Sequence, residues 1–229
     1  MHRCTQSAYG LLVAGLALVL AGCSPQTGSD AGAVPQPSGT DPGAAKAADP
    51  VAASTTRSAP LYAEPGAGVA IAPVAGMRVA QDFKRDYLAS PNWKLFAEPD
   101  STGAPLAALV MDGSNKITAA ELRIGSSDDA AAVKECLLPP AEATGAGTPA
   151  TVEIDGVPFT HFSVGDAAMS HYVNAESYRA VREGTCYAVD LVVAGTRPDV
   201  YDPPAVPPFT QEAAKAKLQE ALKAVYWVQ

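Results

Sequence analysis

The sequence predicts an α+β domain over residues 61–229, a central antiparallel sheet packed by two or three helices. Three observations carry that expectation. Asp112-Gly113, Asp155-Gly156 and Glu183-Gly184 each separate apolar runs of strand length, the pattern of hairpin turns. Ala214, Leu218, Leu222 and Val225 fall at i, i+4, i+8 and i+11, one apolar stripe on a helix that must pack on a sheet. Large apolar residues begin only at Leu61-Tyr62 and continue to the end of the 229-residue chain.

The elements follow in order. Residues 77–88 carry Met77, Val79, Phe83 and Tyr87, a spacing that suits a strand or a short helix. Residues 93–97 read as a short strand and 100–103 as a turn. A strand at 106–111 closes at Asp112-Gly113, and 116–124 alternates, with Ile117 on one side and Leu122 and Ile124 on the other. Asp128-Asp129 place negative charge at the start of a helix over 130–138, which Pro139-Pro140 end. A second hairpin pairs 151–154 with 157–164. Strands at 172–181 and 185–194 flank Glu183-Gly184. In the latter, Cys186, Ala188, Asp190 and Val192 share one face, while Tyr187, Val189, Leu191 and Val193 share the other and better core face. After a proline-rich loop over 198–208, Thr210 caps the final helix, with Glu212 in its first turn. Residues 226–228 form a last short strand.

Ahead of this domain, Arg3 precedes an apolar run from Tyr9 to Gly22, the n- and h-regions of a secretory signal. The run is shorter than the roughly 20 apolar residues that span a bilayer. Leu20-Ala21-Gly22-Cys23 resembles the lipobox of bacterial lipoprotein precursors. That resemblance implies removal of residues 1–22 as a signal peptide, acylation of Cys23 and attachment to a membrane through its lipid. The protein would then lie in the bacterial cell envelope, facing the periplasm. Cys23 is followed by Ser24 and not by the Asp that would resemble an inner-membrane retention signal, which favours the outer membrane. Residues 23–60 are Ala, Gly, Pro, Ser, Thr and Asp with hardly a large apolar side chain, the composition of a disordered linker. Its r.m.s. reach is roughly 30–35 Å.

Loss of residues 1–22 removes Arg3 alone among the charged residues, so 16 basic side chains become 15 against 24 acidic, a net charge near −9. That balance argues against nucleic acid or anionic lipid as a partner. Cys4 falls in the discarded segment and Cys23 is taken by lipid. Cys136 and Cys186 remain in an oxidising compartment, where such a pair forms a disulfide, two buried free thiols being the alternative. Closing a loop of this size is worth roughly 4 kcal/mol in the chain-entropy model. The bridge would pin the first helix to the sheet outside the densest core, since Cys186 shares its face with Ala188 and Asp190.

The chemistry-bearing residues are few. His161 and His171, with Asp166 midway, are the candidate ligands of a Zn or Cu site, although their spacing matches no established ligand pattern. Ser163 and Ser170 neighbour these histidines without any G-x-S-x-G elbow. Gly66-Ala67-Gly68 lacks the third glycine of a phosphate loop, whose place Ile71 holds. Tyr172, Tyr178, Arg179 and Arg182 read as the solvated face of a strand, with a recognition surface as the alternative. No cofactor is expected.

Val157-Pro158-Phe159, the small-residue segment from Asp166 to His171, Tyr178-Arg179-Ala180, Gly184-Thr185-Cys186-Tyr187 and the terminal amphipathic helix together resemble PsbP-like domains of bacterial lipoproteins. The resemblance implies an accessory or binding module and carries over no catalytic residue. The resulting expectation is a lipid-anchored, non-enzymatic accessory or binding protein of the cell envelope, its partner an envelope protein. The alternative is a periplasmic metal-handling protein or enzyme that uses His161 and His171.

Overall fold

The computed structural model describes residues 59–144 and 149–228. The expected signal peptide, Cys23 and all but the last two residues of the expected linker lie outside them. In chain order the elements are β1 (Tyr62–Glu64), β2 (Val69–Ile71), β3 (Met77–Ala80), β4 (Ala104–Met111), β5 (Thr118–Ser127), α1 (Ala130–Glu135), β6 (Ala150–Ile154), β7 (Val157–Ala168), β8 (His171–Arg182), β9 (Thr185–Thr196), α2 (Gln211–Leu222) and β10 (Val225–Trp227). Seven strands form one antiparallel sheet in the order β3-β4-β5-β9-β8-β7-β6, and three form a smaller one in the order β1-β2-β10. Among the described residues no helix is long and apolar enough to cross a membrane.

This architecture corrects the expected fold class. Strands account for 44% of the structure and helical turns for 14%, so the domain is mostly β and not a sheet packed by two or three helices. The physical reason lies in what covers the two faces of the large sheet. Only α2 is long enough to shield one. α1 ends at Glu135, less than two turns after Asp129 caps it by accepting from the amides of Ala131 and Ala132. The opposite face is covered by residues 81–103, which form no helix.

The α2 face holds the main core. Leu109, Leu122 and Leu191 lie side by side in the register of β4, β5 and β9, and Ile124 pairs with Val189. Ala214, Leu218, Ala221 and Leu222 of α2 pack onto this row, joined by Val69, Ile71 and Val225 of the small sheet. Thr210 caps the helix by accepting from the Ala213 amide at 3.1 Å.

The other face carries charge. Glu121, Arg123, Asp190 and Arg179 are all at most 5% exposed. Asp190 Oδ1 accepts from Ser177 Oγ at 2.6 Å and from Arg179 Nη1 at 2.8 Å, and its Oδ2 accepts from the Leu95 amide at 2.9 Å. Glu121 Oε1 takes Arg123, and Oε2 takes Arg85 Nε at 3.0 Å. Arg123 Nη1 also donates to the Ser90 carbonyl. The segment 81–103 thus docks by three polar anchors, between which Phe83, Leu88, Trp93 and Leu95 are buried. The strand expected at 93–97 is absent for this reason. Trp93 lies across the sheet where Gly125 and Gly103 make room, since a Cβ on Gly125 would come within 1.9 Å of the Trp93 carbonyl oxygen and one on Gly103 within 2.3 Å of its ring.

Cys136, the C-cap of α1, and Cys186 near the start of β9 form a disulfide with a Cα separation of 5.7 Å. They pack with Trp93, Ala132 and Ala188 in a cluster separate from the main core. Replacing both cysteines by alanine should lower the stability measured by denaturant unfolding by about 2–4 kcal/mol, because the unfolded chain regains the conformational entropy that the cross-link removes. Asp190→Ala should lower it by about 3–5 kcal/mol, because Arg179 is left buried without its counter-ion. Tyr87 lies in the same covering segment, where burial and then the charge of Glu121 push its phenol up to about 12 against the pull of Arg85. A raised folded-state value means that its contribution to stability is whole below about pH 10 and is lost as pH rises through about 12. Stability followed across that range should fall, and less steeply in Tyr87→Phe. Part of the fall will persist, since burial also raises Tyr62, Tyr178 and Tyr187.

Candidate functional site

α2 crosses β5 and β9 and reaches β4, while the sheet continues past it through β8, β7 and β6. A helix is about 10 Å across and strands are about 4.8 Å apart, so one helix cannot roof seven strands. The uncovered remainder becomes a cleft of about 220 Å³ between α2 and β7–β8. Lys215 and Gln219 stand on the helix side, Ser163, Asn174 and Glu176 on the strand side, and Leu191, Val193 and Leu218 contribute its apolar surface. Past Gln219 it meets a second, more apolar cleft bordered by Val152, Ile154, Leu222 and Val225.

Alternation places the polar wall. His161 registers with Tyr178 and Ser163 with Glu176 across the β7–β8 ladder, and all four point to the α2 side. Glu176 Oε2 is 2.6 Å from His161 Nε2 and accepts from Ser163 Oγ at 2.8 Å. The His161 ring stacks on Tyr178 with centroids 4.8 Å apart, and Gln219 Nε2 approaches the Tyr178 hydroxyl at 3.5 Å. Burial pushes the Tyr178 phenol above its ordinary range, opposed by the Gln219 hydrogen bond and assisted by Glu176. Among the described residues Glu176 Oε1 takes no hydrogen bond and Lys215 makes no ion pair. The carboxylate is 39% exposed, open to a ligand.

The residues singled out as metal ligands are not brought together. His171 opens β8 opposite Ala168, seven residues along β7 from His161, which amounts to about 23 Å of strand. There it shares a 3.0 Å hydrogen bond with Thr196 Oγ1. Asp166 is five residues from His161 on the same strand, an odd offset that turns it to the opposite face. Among the described residues no three His, Cys, Asp or Glu side chains are grouped to hold a metal. The strand extends unbroken to Ala168, well past the end expected at 164, and this length keeps the two histidines apart.

Tyr172, Tyr178, Arg179 and Arg182 likewise form neither a solvated face nor a single recognition surface. Tyr178 and Arg179 are buried on opposite faces of β8, Tyr172 meets Thr118, and Arg182 lies over the Trp227 ring at 4.8 Å. What the sequence reading missed is Asn174, Glu176, Lys215 and Gln219. A signal for the helix side was present: Lys215, Gln219 and Lys223 recur at i, i+4 and i+8 beside the apolar stripe, a polar edge on one flank of α2.

The arrangement fixes one carboxylate oxygen between two neighbouring side chains. Ser163 and His161 both spend a hydrogen bond on the same carboxylate oxygen, and neither is bonded to the other. A serine nucleophile needs a base that accepts its proton and is itself oriented. Here the carboxylate stands between the two. No family model matches the chain, and no curated protein and no solved structure matches it either.

Proposed function

We propose that this protein is a lipid-anchored, non-catalytic binding protein of the bacterial cell envelope, acting through the cleft between α2 and β7–β8. The observation that carries the binding reading is the use of Glu176: one oxygen is occupied by His161 and Ser163, which hold the carboxylate in place, and the other takes no hydrogen bond among the described residues. A carboxylate held by its neighbours and left half unspent is a receptor for a donor from outside. The anchor rests on Leu20-Ala21-Gly22-Cys23 and the linker that follows. Ser24 supports the outer membrane, and the PsbP-like resemblance enters on its sequence motifs alone. A partner in this reading is an envelope component within reach of the tether.

Growth with radiolabelled palmitate should label the protein, and Cys23→Ala should abolish the label. The labelled form should fractionate with the outer membrane; recovery wholly in the inner membrane would refute that placement. A photo-crosslinking residue at position 219 should give an envelope adduct that the same residue at exposed Lys134 does not.

A further inference from the structure

We infer that the cleft beside α2 takes a small zwitterion of the α-amino-acid class with an apolar side chain. This rests on the reading of that cleft as the binding site. Two charges of opposite sign line one small volume: Glu176 on β8 and Lys215 on α2. Among the described residues neither is paired with an opposite charge on an Arg or Lys, or on an Asp or Glu, respectively. They come from different elements and enter from opposite walls, and among the described residues no ion pair joins them. A ligand with a single charge would satisfy one wall and leave the other charge facing it unanswered. A ligand carrying an ammonium and a carboxylate answers both.

The remaining lining agrees in kind and size. Asn174 and Gln219 supply amide donors and acceptors that suit the same two groups. Leu191, Val193 and Leu218 form an apolar surface between the polar walls, against which a hydrocarbon side chain loses contact with water. The volume, about 220 Å³, is below the roughly 300–1,000 Å³ of sites for drug-sized ligands, and suits a molecule of a single residue. Glu176 needs no reorganisation to receive an ammonium, because His161 and Ser163 already fix its Oε2. In this arrangement the ammonium donates to Glu176 Oε1 and the carboxylate meets Lys215 Nζ.

The test compares three probes that share one hydrocarbon side chain: L-leucine, L-leucinamide, whose carboxylate is replaced by a neutral amide, and 4-methylpentanoate, which lacks the ammonium. Each is titrated calorimetrically into the full lipidated chain in detergent. Leucine should bind, and each singly charged analogue should bind about tenfold or more weakly, the scale of one lost charged hydrogen bond. Lys215→Met, at an exposed helix position, should remove the preference for leucine over leucinamide. Glu176→Gln should remove the preference for leucine over 4-methylpentanoate, with thermal unfolding confirming that the variant is folded. Equal affinity for the three probes, or no binding of leucine at millimolar concentration by folded protein, overturns the proposal. An adduct at position 219 in the absence of leucine binding would overturn the zwitterion and spare the binding site. Loss of both would overturn the site itself.

Discussion

The pairing of buried charges on the loop-covered face is the constraint on which the rest of the domain depends. Four ionised groups in the middle of a sheet are costly unless each is both paired and hydrogen-bonded. Asp190 meets that condition with Ser177, Arg179 and the Leu95 amide, and Glu121 meets it with Arg123 and Arg85. Three of those contacts, counting Arg123 to the Ser90 carbonyl, reach into segment 81–103. The segment therefore has one way to lie, although it contains no regular structure to stiffen it. Its apolar side chains then close the charges off from water, which strengthens the same pairs that position them.

The two faces of the sheet are consequently finished by different means. One is covered over its middle by a segment whose side chains are fitted to it, with α1 packed beside Cys186 and Ala188. The other receives a rigid cylinder of 12 residues, about 18 Å long and narrower than the sheet beneath it. The small sheet, with Tyr187 donating to the Ala67 carbonyl, fills one end, and the middle of β7–β8 is left partly open. The cleft is thus a geometric remainder of the fold, and its polarity is set by which residues alternate onto that face.

Local signals made part of this legible. Asp155-Gly156 and Glu183-Gly184 each place two consecutive residues at positive φ, as two-residue hairpins require, and the glycine announces it. Thr210 and Asp129 cap the helices they were expected to start. The Cys136–Cys186 bridge followed from counting cysteines, and the two faces of β9 from its alternation. What stayed hidden was non-local or unmarked. Val69–Ile71 owes its strand character to Val225–Trp227, far along the chain, and three residues carry no periodicity of their own. The turn at Met169-Ser170 has positive φ values like those of the other hairpins but no glycine, so nothing in the sequence marks the true end of β7 beyond 164. The mostly β class was missed because a helix has a visible period, whereas an irregular segment that covers a sheet has none.

The seam between β5 and β9 divides the large sheet into two successions of neighbouring strands, β3-β4-β5 and β6-β7-β8-β9. β4 meets β5, and β6 to β9 meet in succession, across short turns, and such hairpins form in roughly 1–10 μs, whereas β3 reaches β4 only through the long segment 81–103. The seam itself joins residues as distant as Thr118 and Gly195, and its formation carries the entropy of closing everything between them. The seam therefore contributes the most distant pairings of the large sheet, the kind of contact that slows the folding of β proteins. Arg123 and Asp190 face each other across that seam in register, so opposite charges mark the correct alignment at the moment the halves join.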